Sequence, residues 1–389
     1  CSSDLSRRKT LHTLGKNERW GVRGTDLKAL WNVKDLDGMV WCQPVTFLNK
    51  QGFSMHRLLR AIDQNVLLSK LSPKAQAQED ERMYTPEELR EICRDYPGLL
   101  DAAEQLLADC TFRFDFKLPK NRRLYGSSRE DDLALLTKLA HEGLRYRYPR
   151  SDREAKARVE KELKVIHELH FDAYFLITWD IIRYARSRGY FHVGRGSGAN
   201  SIVAYCLGIT DVDPVALDLY FERFINPHRT SPPDFDIDFS WDERDDIIDY
   251  IFKRYDSKHV CLLATYVTFQ DKSIYRELAK VFGLPKAEID AWLDPATAMR
   301  EVSSELQHLI VKYGQLLLDF PNYLSIHAGG ILISDAPLSA YTALEGMPKG
   351  FPICQFDMYV AEEIGFSKFD ILSQRGLGHI KESVDIIRA

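Results

Sequence analysis

SPPDFDIDFS, residues 231–240, carries three aspartates, Asp234, Asp236 and Asp238, in alternation with apolar residues behind two prolines. In an extended strand alternate residues share a face, so the pattern predicts three carboxylates pointing the same way. Aspartate is a poor strand former, and neighbouring like charges repel. A half-buried strand accounts for the alternation alone. A bound cation accounts for the charges too. Mg²⁺ takes oxygen ligands, commonly one or two carboxylates plus substrate phosphates. Two such ions, about 3.5–4 Å apart, can hold the attacking and leaving oxygens of a phosphoryl transfer.

Upstream, residues 194–201 read GRGSGANS and lead into the apolar run IVAYCLGI. Glycines let successive N–H groups curl toward one concavity, and a helix N-terminus adds a positive dipole end. No Gly-Lys-Ser/Thr follows, so this is not a Walker loop. Many helix-leading turns share the GxGxG spacing. Here Arg195 and Ser197 add a cation and a hydroxyl suited to a triphosphate. A phosphate cradle close to a carboxylate strand points to nucleotidyl transfer.

The chain has 389 residues, 45% apolar and 28% charged, which predicts two or three globular domains. Its seven cysteines form no CxxC pair. That argues for reduced thiols in a cytoplasmic protein and against a zinc ribbon or a disulfide framework. No apolar run is long enough to cross a bilayer, and residues 1–30 lack a signal-peptide pattern. The formal net charge of −5 lends no support to nucleic-acid binding, although a local basic surface remains compatible with it.

Around these motifs the pattern is mixed α and β. MHRLLRAI (55–62) has helical spacing, and Thr85, Pro86 and Glu88 form a helix start with a capping box. Ser151 and Glu154 suggest another box opening a helix with Val159, Leu163, Ile166 and His170 on one face. A second apolar helix runs from Tyr174 to a stop at Gly189. Further helices are expected at DERDDIIDYIFKRY, over 273–284 and within 286–318. HAGGILIS (327–334) reads as a glycine-led strand and IGFSKFDIL (364–372) as the last strand.

GRGSGANSIVAYCLGITDVDP, LDLYFERFINPHR, PDFDIDF, HAGGILIS with ICQFDM, and KFDIL resemble, in order, the palm of family C bacterial replicative DNA polymerases. This is the family of the DNA polymerase III α subunit. The likeness covers residues 190–372, extends more loosely over 120–190, and reaches residues 1–118 as the rear of the family's polymerase-and-histidinol-phosphatase (PHP) domain. It implies an α+β fold with a nucleotidyltransferase-like (polymerase β-type) palm containing a mixed β-sheet and helices. A helical thumb is inserted in that palm, and a partial PHP-domain segment precedes it. The implied boundaries are 1–118 for the PHP-like part, 119–270 and 325–389 for the palm, and 271–324 for the thumb.

The resemblance implies a catalytic, metal-binding triad of Asp234, Asp236 and Asp370, with Asp238 outside it. Two Mg²⁺ ions, for which Mn²⁺ can substitute, would serve transfer of a dNTP onto a primer 3′-hydroxyl. Gly196, Ser197 and Lys368 match the family's phosphate- and nucleotide-contacting positions. Arg223 and Arg229 could clamp the triphosphate or form surface ion pairs. His327 reads as a histidine fixing a tight glycine turn. Lys272 and Arg276 match a DNA-gripping thumb region or a solvated helix face, while Phe269 and Tyr275 read as core. The implied partners are primer-template DNA, dNTP and, in a full-length parent, a sliding clamp and other replisome subunits, with no membrane. An alternative is a catalytically silent module that binds DNA or nucleotide on the same fold.

The sequence also departs from the family. No HxH pair occurs, and Ser54-Met55-His56 stands where an Asp-x-His element is expected. One histidine cannot make a metal site, so no PHP metal or phosphoesterase activity is expected from His56 or His12. HIKESVDIIRA ends where the family's fingers begin, so the chain is expected to be a fragment with little primer extension of its own.

Overall fold

The computed structural model describes residues 14–15, 17–33, 35–116, 118–150, 152–225, 234–294 and 304–388. In chain order, β1 is Trp20–Val22, β2 Met39–Trp41, α1 Lys50–Asp63, α2 Pro86–Ile92, α3 Gly98–Asp109, α4 Arg129–Arg147, α5 Arg153–Glu168 and α6 Asp172–Ser187. Then come β3 His192–Arg195, α7 Ile202–Leu207, β4 Asp236–Ser240, α8 Arg244–Tyr255, β5 Val260–Thr268, α9 Asp271–Phe282, α10 Lys286–Leu293 and α11 Glu305–Leu317. The chain closes with β6 Pro321–Ile333, β7 Leu344–Gly346, β8 Pro352–Cys354, α12 Met358–Glu363, β9 Phe369–Gln374 and α13 Arg375–Arg388. Among the described residues no helix is long and apolar enough to cross a membrane.

Two compact units emerge, residues 1–113 with 268–321 and residues 114–267 with 322–389. In the first, β1 and β2 pair in parallel over a small core of Val22, Leu30, Met39 and Leu99. A second core joins Leu58 of α1 to Ile274 and Leu278 of α9 and Ile310 of α11. Phe269 is buried in it and Tyr275 packs against it, both in core roles as read from the sequence.

The second unit holds a mixed seven-stranded sheet in the order β3-β4-β9-β6-β5-β8-β7. β4 runs antiparallel to β3 and parallel to β9, and β6 runs antiparallel to β9. On β4, Ile237 and Phe239 enter the core, and Asp238 and Ser240 on the alternate positions are buried as well. At Asp238 and Ser240 the strand is flanked on both edges and closed on both faces, so a carboxylate there needs partners. α6 and α8 supply much of the core through Phe175, Ile181, Ile247 and Ile251.

α6 also carries Asp180, which is wholly buried. Its Oδ1 accepts from Tyr125 Oη at 3.1 Å and Arg183 at 2.6 Å. Its Oδ2 accepts from Tyr250 at 2.8 Å, Tyr255 at 3.0 Å and Arg254 at 3.2 Å. Burial pushes this carboxyl upward, but the four hydrogen bonds from Tyr250, Tyr255, Arg183 and Tyr125 outweigh it and hold the group below its ordinary value.

Several local expectations hold. The capping box of Thr85 and Glu88 forms, Gly189 takes φ +73 behind α6, and α8 buries Ile247, Ile248 and Ile251. Others are corrected. α5 is capped by Asp152, which accepts from Ala155 N at 3.0 Å; Ser151 lies outside the described residues. Asp152 takes the place because its carboxylate reaches the N3 amide directly. His170 does not continue the buried face: the helix ends at Glu168, and His170 sits beyond it, exposed, at φ +62. The HAGG strand begins six residues early, at Pro321, and β9 begins at Phe369, leaving Ile364 to Lys368 outside it.

Candidate active site on the aspartate strands

Strand register builds the site. Arg195 of β3 stands opposite Asp236 of β4, and Asp236 stands opposite Asp370 of β9. Asp234 precedes β4 by two residues. The carboxylate oxygens of Asp234, Asp236 and Asp370 lie within 4.8 Å of one another, the one such group of potential metal ligands among the described residues. Asp238 stands apart from it, buried and accepting from Arg195 Nε at 2.8 Å.

Two cations offset these charges. Lys368 Nζ bonds Asp370 Oδ2 and reaches Asp234 Oδ2 at 3.3 Å. Arg195 also donates to Asp236 Oδ2 at 3.2 Å. Four carboxylates therefore face two cations, an excess of two negative charges. Burial pushes the Asp236 carboxyl up, and the charges of Asp370 and Asp234 add to this against Arg195 and Lys368. Burial alone would lower Lys368, but its hydrogen bond to Asp370 and the charges of Asp370 and Asp234 hold it above its ordinary value. Arg195 is raised chiefly by its bond to Asp238.

A hard divalent cation fits this set. The donors are all oxygens, the charge excess is negative, and Asp370 Oδ1 is buried with no hydrogen-bond partner. Gly196 leaves room beside them: it sits at φ +72, and a Cβ there would stand 2.7 Å from Asp236 Oδ2. Glycine meets both demands of this position.

The glycine-rich turn, Gly196–Asn200, forms a single 3₁₀ turn between β3 and α7. Ser197 Oγ donates to Asp234 Oδ1 at 3.3 Å, so the turn touches the aspartates directly. One expectation is corrected here. The N-terminus of α7 is not open to a ligand, because Glu162 of α5 already accepts from Ile202 N and Val203 N at 3.2 Å each. A phosphate at this turn would meet the turn itself and Ser197, not the helix end.

His327 fixes the glycine segment as expected: its Nδ1 accepts from Gly330 N at 2.8 Å and Gly329 N at 3.2 Å. Those donors place the ring proton on Nε2. Burial lowers its pKa. Arg223, exposed, ends the short turn Phe221–Arg223, whose Phe221 is buried, just before the undescribed stretch 226–233. Arg229 lies outside the described residues. Lys272 and Arg276 belong to the other compact unit; Lys272 is exposed and Arg276 pairs with Asp290 at 2.6 Å. His56 accepts from Ala77 N at 2.8 Å.

Sequence reasoning missed Tyr174, which read as one more apolar helix position. Its hydroxyl accepts from Phe235 N at 3.1 Å and donates to Lys368 O at 3.0 Å, tying the two aspartate-bearing segments together. Its ring packs on Phe235 and Phe369, at 5.5 and 4.6 Å between centroids. Arg244 was missed as well. It donates to Ile371 O at 2.7 Å and Ala328 O at 2.8 Å, joining α8 to β9 and β6. Neither residue has a local sequence signal, because their partners lie far along the chain.

A family model described as the bacterial DNA polymerase III alpha NTPase domain matches residues 134–373. An error-prone DNA polymerase of Symbiobacterium thermophilum is 32% identical over 356 residues, covering 87% of this chain and 33% of that protein. The DNA polymerase III subunit alpha of Bacillus subtilis is 32% identical over 364 residues, covering 88% and 32%. That of Halalkalibacterium halodurans is 30% identical over 404 residues, covering 97% and 36%. The chain thus spans only 32–36% of the length of these curated relatives.

Proposed function

The chain belongs to the bacterial DNA polymerase III α family, and from that premise we propose that its second compact unit is the nucleotidyl-transfer centre of a DNA-directed DNA polymerase. The observation carrying this reading is the Asp236–Asp370 register, which gathers three carboxylates from two distant stretches beside Lys368 and Ser197. The unit corresponds to a β-type nucleotidyltransferase palm, residues 119–270 and 325–389. Residues 271–324 act as a thumb, and 1–118 derive from a PHP-like segment. The substrates are dNTP and primer-template DNA, and the protein works in the cytoplasm with a clamp and other replisome subunits.

Asp234, Asp236 and Asp370 would hold the Mg²⁺ ions, which when bound supply Lewis-acid activation of a primer 3′-hydroxyl and neutralise triphosphate charge. The chain's own groups do the rest. Lys368, held nearly buried between Asp234 and Asp370, supplies an ammonium for phosphate oxygens. Ser197 and the Gly196 turn orient those oxygens beside Asp234. Arg195, fixed by Asp238, presents a guanidinium at the edge of the same row, and triphosphate contacts are assigned to Arg223 and Arg229 on their sequence positions alone. Tyr174 keeps Phe235 and Lys368 in register from below.

Calorimetric titration of the chain with Mn²⁺ and then dATP tests the reading. Saturable Mn²⁺ binding that is lost in both Asp236→Ala and Asp370→Ala is expected. Binding that survives Asp370→Ala would overturn the triad.

A further inference from the structure

We infer that Glu162 is a positioning residue of the nucleotide site, whose ionised carboxylate locks the Gly196–Asn200 turn in place from behind. The inference rests on the reading of that turn as a phosphate-contacting element. Glu162 lies on α5, remote in sequence from every aspartate of the site, and is 1% exposed. Its carboxylate is spent on one task. Oε2 accepts from Ser201 Oγ at 2.8 Å and Val203 N at 3.2 Å, and Oε1 accepts from Ile202 N at 3.2 Å. These groups are the junction between the turn and α7.

Two routes carry this anchor forward. Ser201 donates its N–H to Gly198 O at 3.2 Å, and Gly198 lies against the Phe235 ring, where a Cβ would come within 2.5 Å of Cδ1. Phe235 sits between Asp234 and Asp236. By the second route, Asn200 Nδ2 donates to Ser197 O at 2.8 Å, and Ser197 Oγ reaches Asp234 Oδ1. Releasing Ser201 therefore loosens both the floor and the hydroxyl of the proposed phosphate site.

The anchor is sensitive to protonation. Burial pushes the Glu162 carboxyl up to about 7, opposed by the bonds from Ser201, Val203 and Ile202 and by the charge of Arg158. Protonating Oε2 would turn the acceptor of two donors into a hydroxyl. The other ionisable groups around it are Arg158 and Lys161 on α5, Cys206 on α7, and Asp218, Tyr220 and Glu222 from the segment lining the same 210 Å³ cavity. Lys161 and Glu222 pair at 2.7 Å. Burial raises the Cys206 thiol to about 12, and the Glu162 charge adds to that.

Mere unfolding has the opposite sign. With its folded value raised, Glu162 contributes stability that is fully present below the range of a free glutamate and lost as pH rises through about 7. Release of the turn around a still-buried Glu162 differs: it withdraws the bonds from Ser201, Val203 and Ile202 that hold the value down, so the released state binds the proton more tightly and ionisation favours the locked turn.

Hydrogen exchange on the full chain is the first readout. Protection of the Ile202 and Val203 amides is expected to fall about tenfold from about pH 8 to about pH 6, as the locked fraction drops with the ionised one. In Glu162→Gln it is expected to be low and flat. The second readout is affinity for a fluorescent dATP analogue with Mg²⁺, expected to fall about tenfold more over that range in the wild type than in Glu162→Gln. Wild-type protection that is flat with pH overturns the inference, as does a Glu162→Gln affinity profile parallel to wild type. The wild-type exchange series needs no variant to fold. If the wild type binds no nucleotide, the proposed function fails while the exchange data still decide Glu162.

Discussion

Replacing Asp236 with asparagine should move the chain's own stability and its response to metal in opposite directions. Asp236 sits in a place that disfavours charge: burial, then Asp370 and Asp234, raise its pKa against Arg195 and Lys368. A carboxyl raised on folding contributes stability that is present below its unfolded value and lost as pH rises through the folded one. At neutral pH the ionised form therefore works against folding. Asparagine keeps the shape and removes that charge, forfeiting an ion pair to Arg195 that is half exposed on the arginine side and so worth little. The metal-free variant is expected to be more stable by about 1 kcal/mol, the scale of relief seen when a functional site is relaxed. In a unit of this size that is about 2–4 °C in Tm. The advantage should vanish in acid, where both side chains are neutral.

Metal reverses the order. At about a hundred times its Kd, a bound ion stabilises the wild type by about 2.7 kcal/mol, which outweighs the variant's lead. The assay is thermal unfolding of both proteins with and without Mn²⁺ across pH. An Asp236→Asn variant less stable than wild type without metal would refute the electrostatic argument. A variant that keeps the full Mn²⁺ shift would refute the ligand assignment.

Asp180→Asn turns one of two saturated oxygens into an amide donor facing two or three donors. Because Arg183 and Arg254 are about half exposed, most of the expected loss of about 3–5 kcal/mol comes from the tyrosine hydroxyls. Urea denaturation measures it, and a loss below about 1 kcal/mol would sink the argument. Since the folded Asp180 value is lowered, the gap to wild type should close as pH falls through it. Gly196→Ala must hold an alanine at φ +72 with its Cβ against Asp236 Oδ2. Stability should fall by about 1–2 kcal/mol and Mn²⁺ should bind more weakly; unchanged Mn²⁺ affinity would rule out the close contact. Lys368→Ala should weaken dATP binding by about tenfold or more, the worth of one charge-assisted hydrogen bond, while Mn²⁺ alone binds at least as well. Equal dATP affinity by calorimetry would remove Lys368 from the site.

What the sequence determined by itself was local. Thr85 and Glu88 cap a helix through bonds three residues apart, Gly189 ends one by its own backbone freedom, and Ile247, Ile248 and Ile251 bury one helical face. Such features depend on neighbours within a turn, so spacing reveals them. The residue types of the site were legible too, because aspartates on a strand are unfavourable enough to demand a reason. The tertiary structure decided which groups meet. Asp370 joins Asp236 only through the parallel register of β4 and β9, strands separated by α8 to α12. The antiparallel β3 sets Arg195 opposite Asp236 and lets its guanidinium reach the diagonal Asp238, and packing of α6 sets Tyr174 beneath both segments. Glu162, one more helical charge in sequence, occupies the helix end that spacing alone left open for phosphate. A buried carboxylate takes whatever donors the packed chain brings within about 3 Å. That choice follows from how the helices and strands pack, which no local pattern contains.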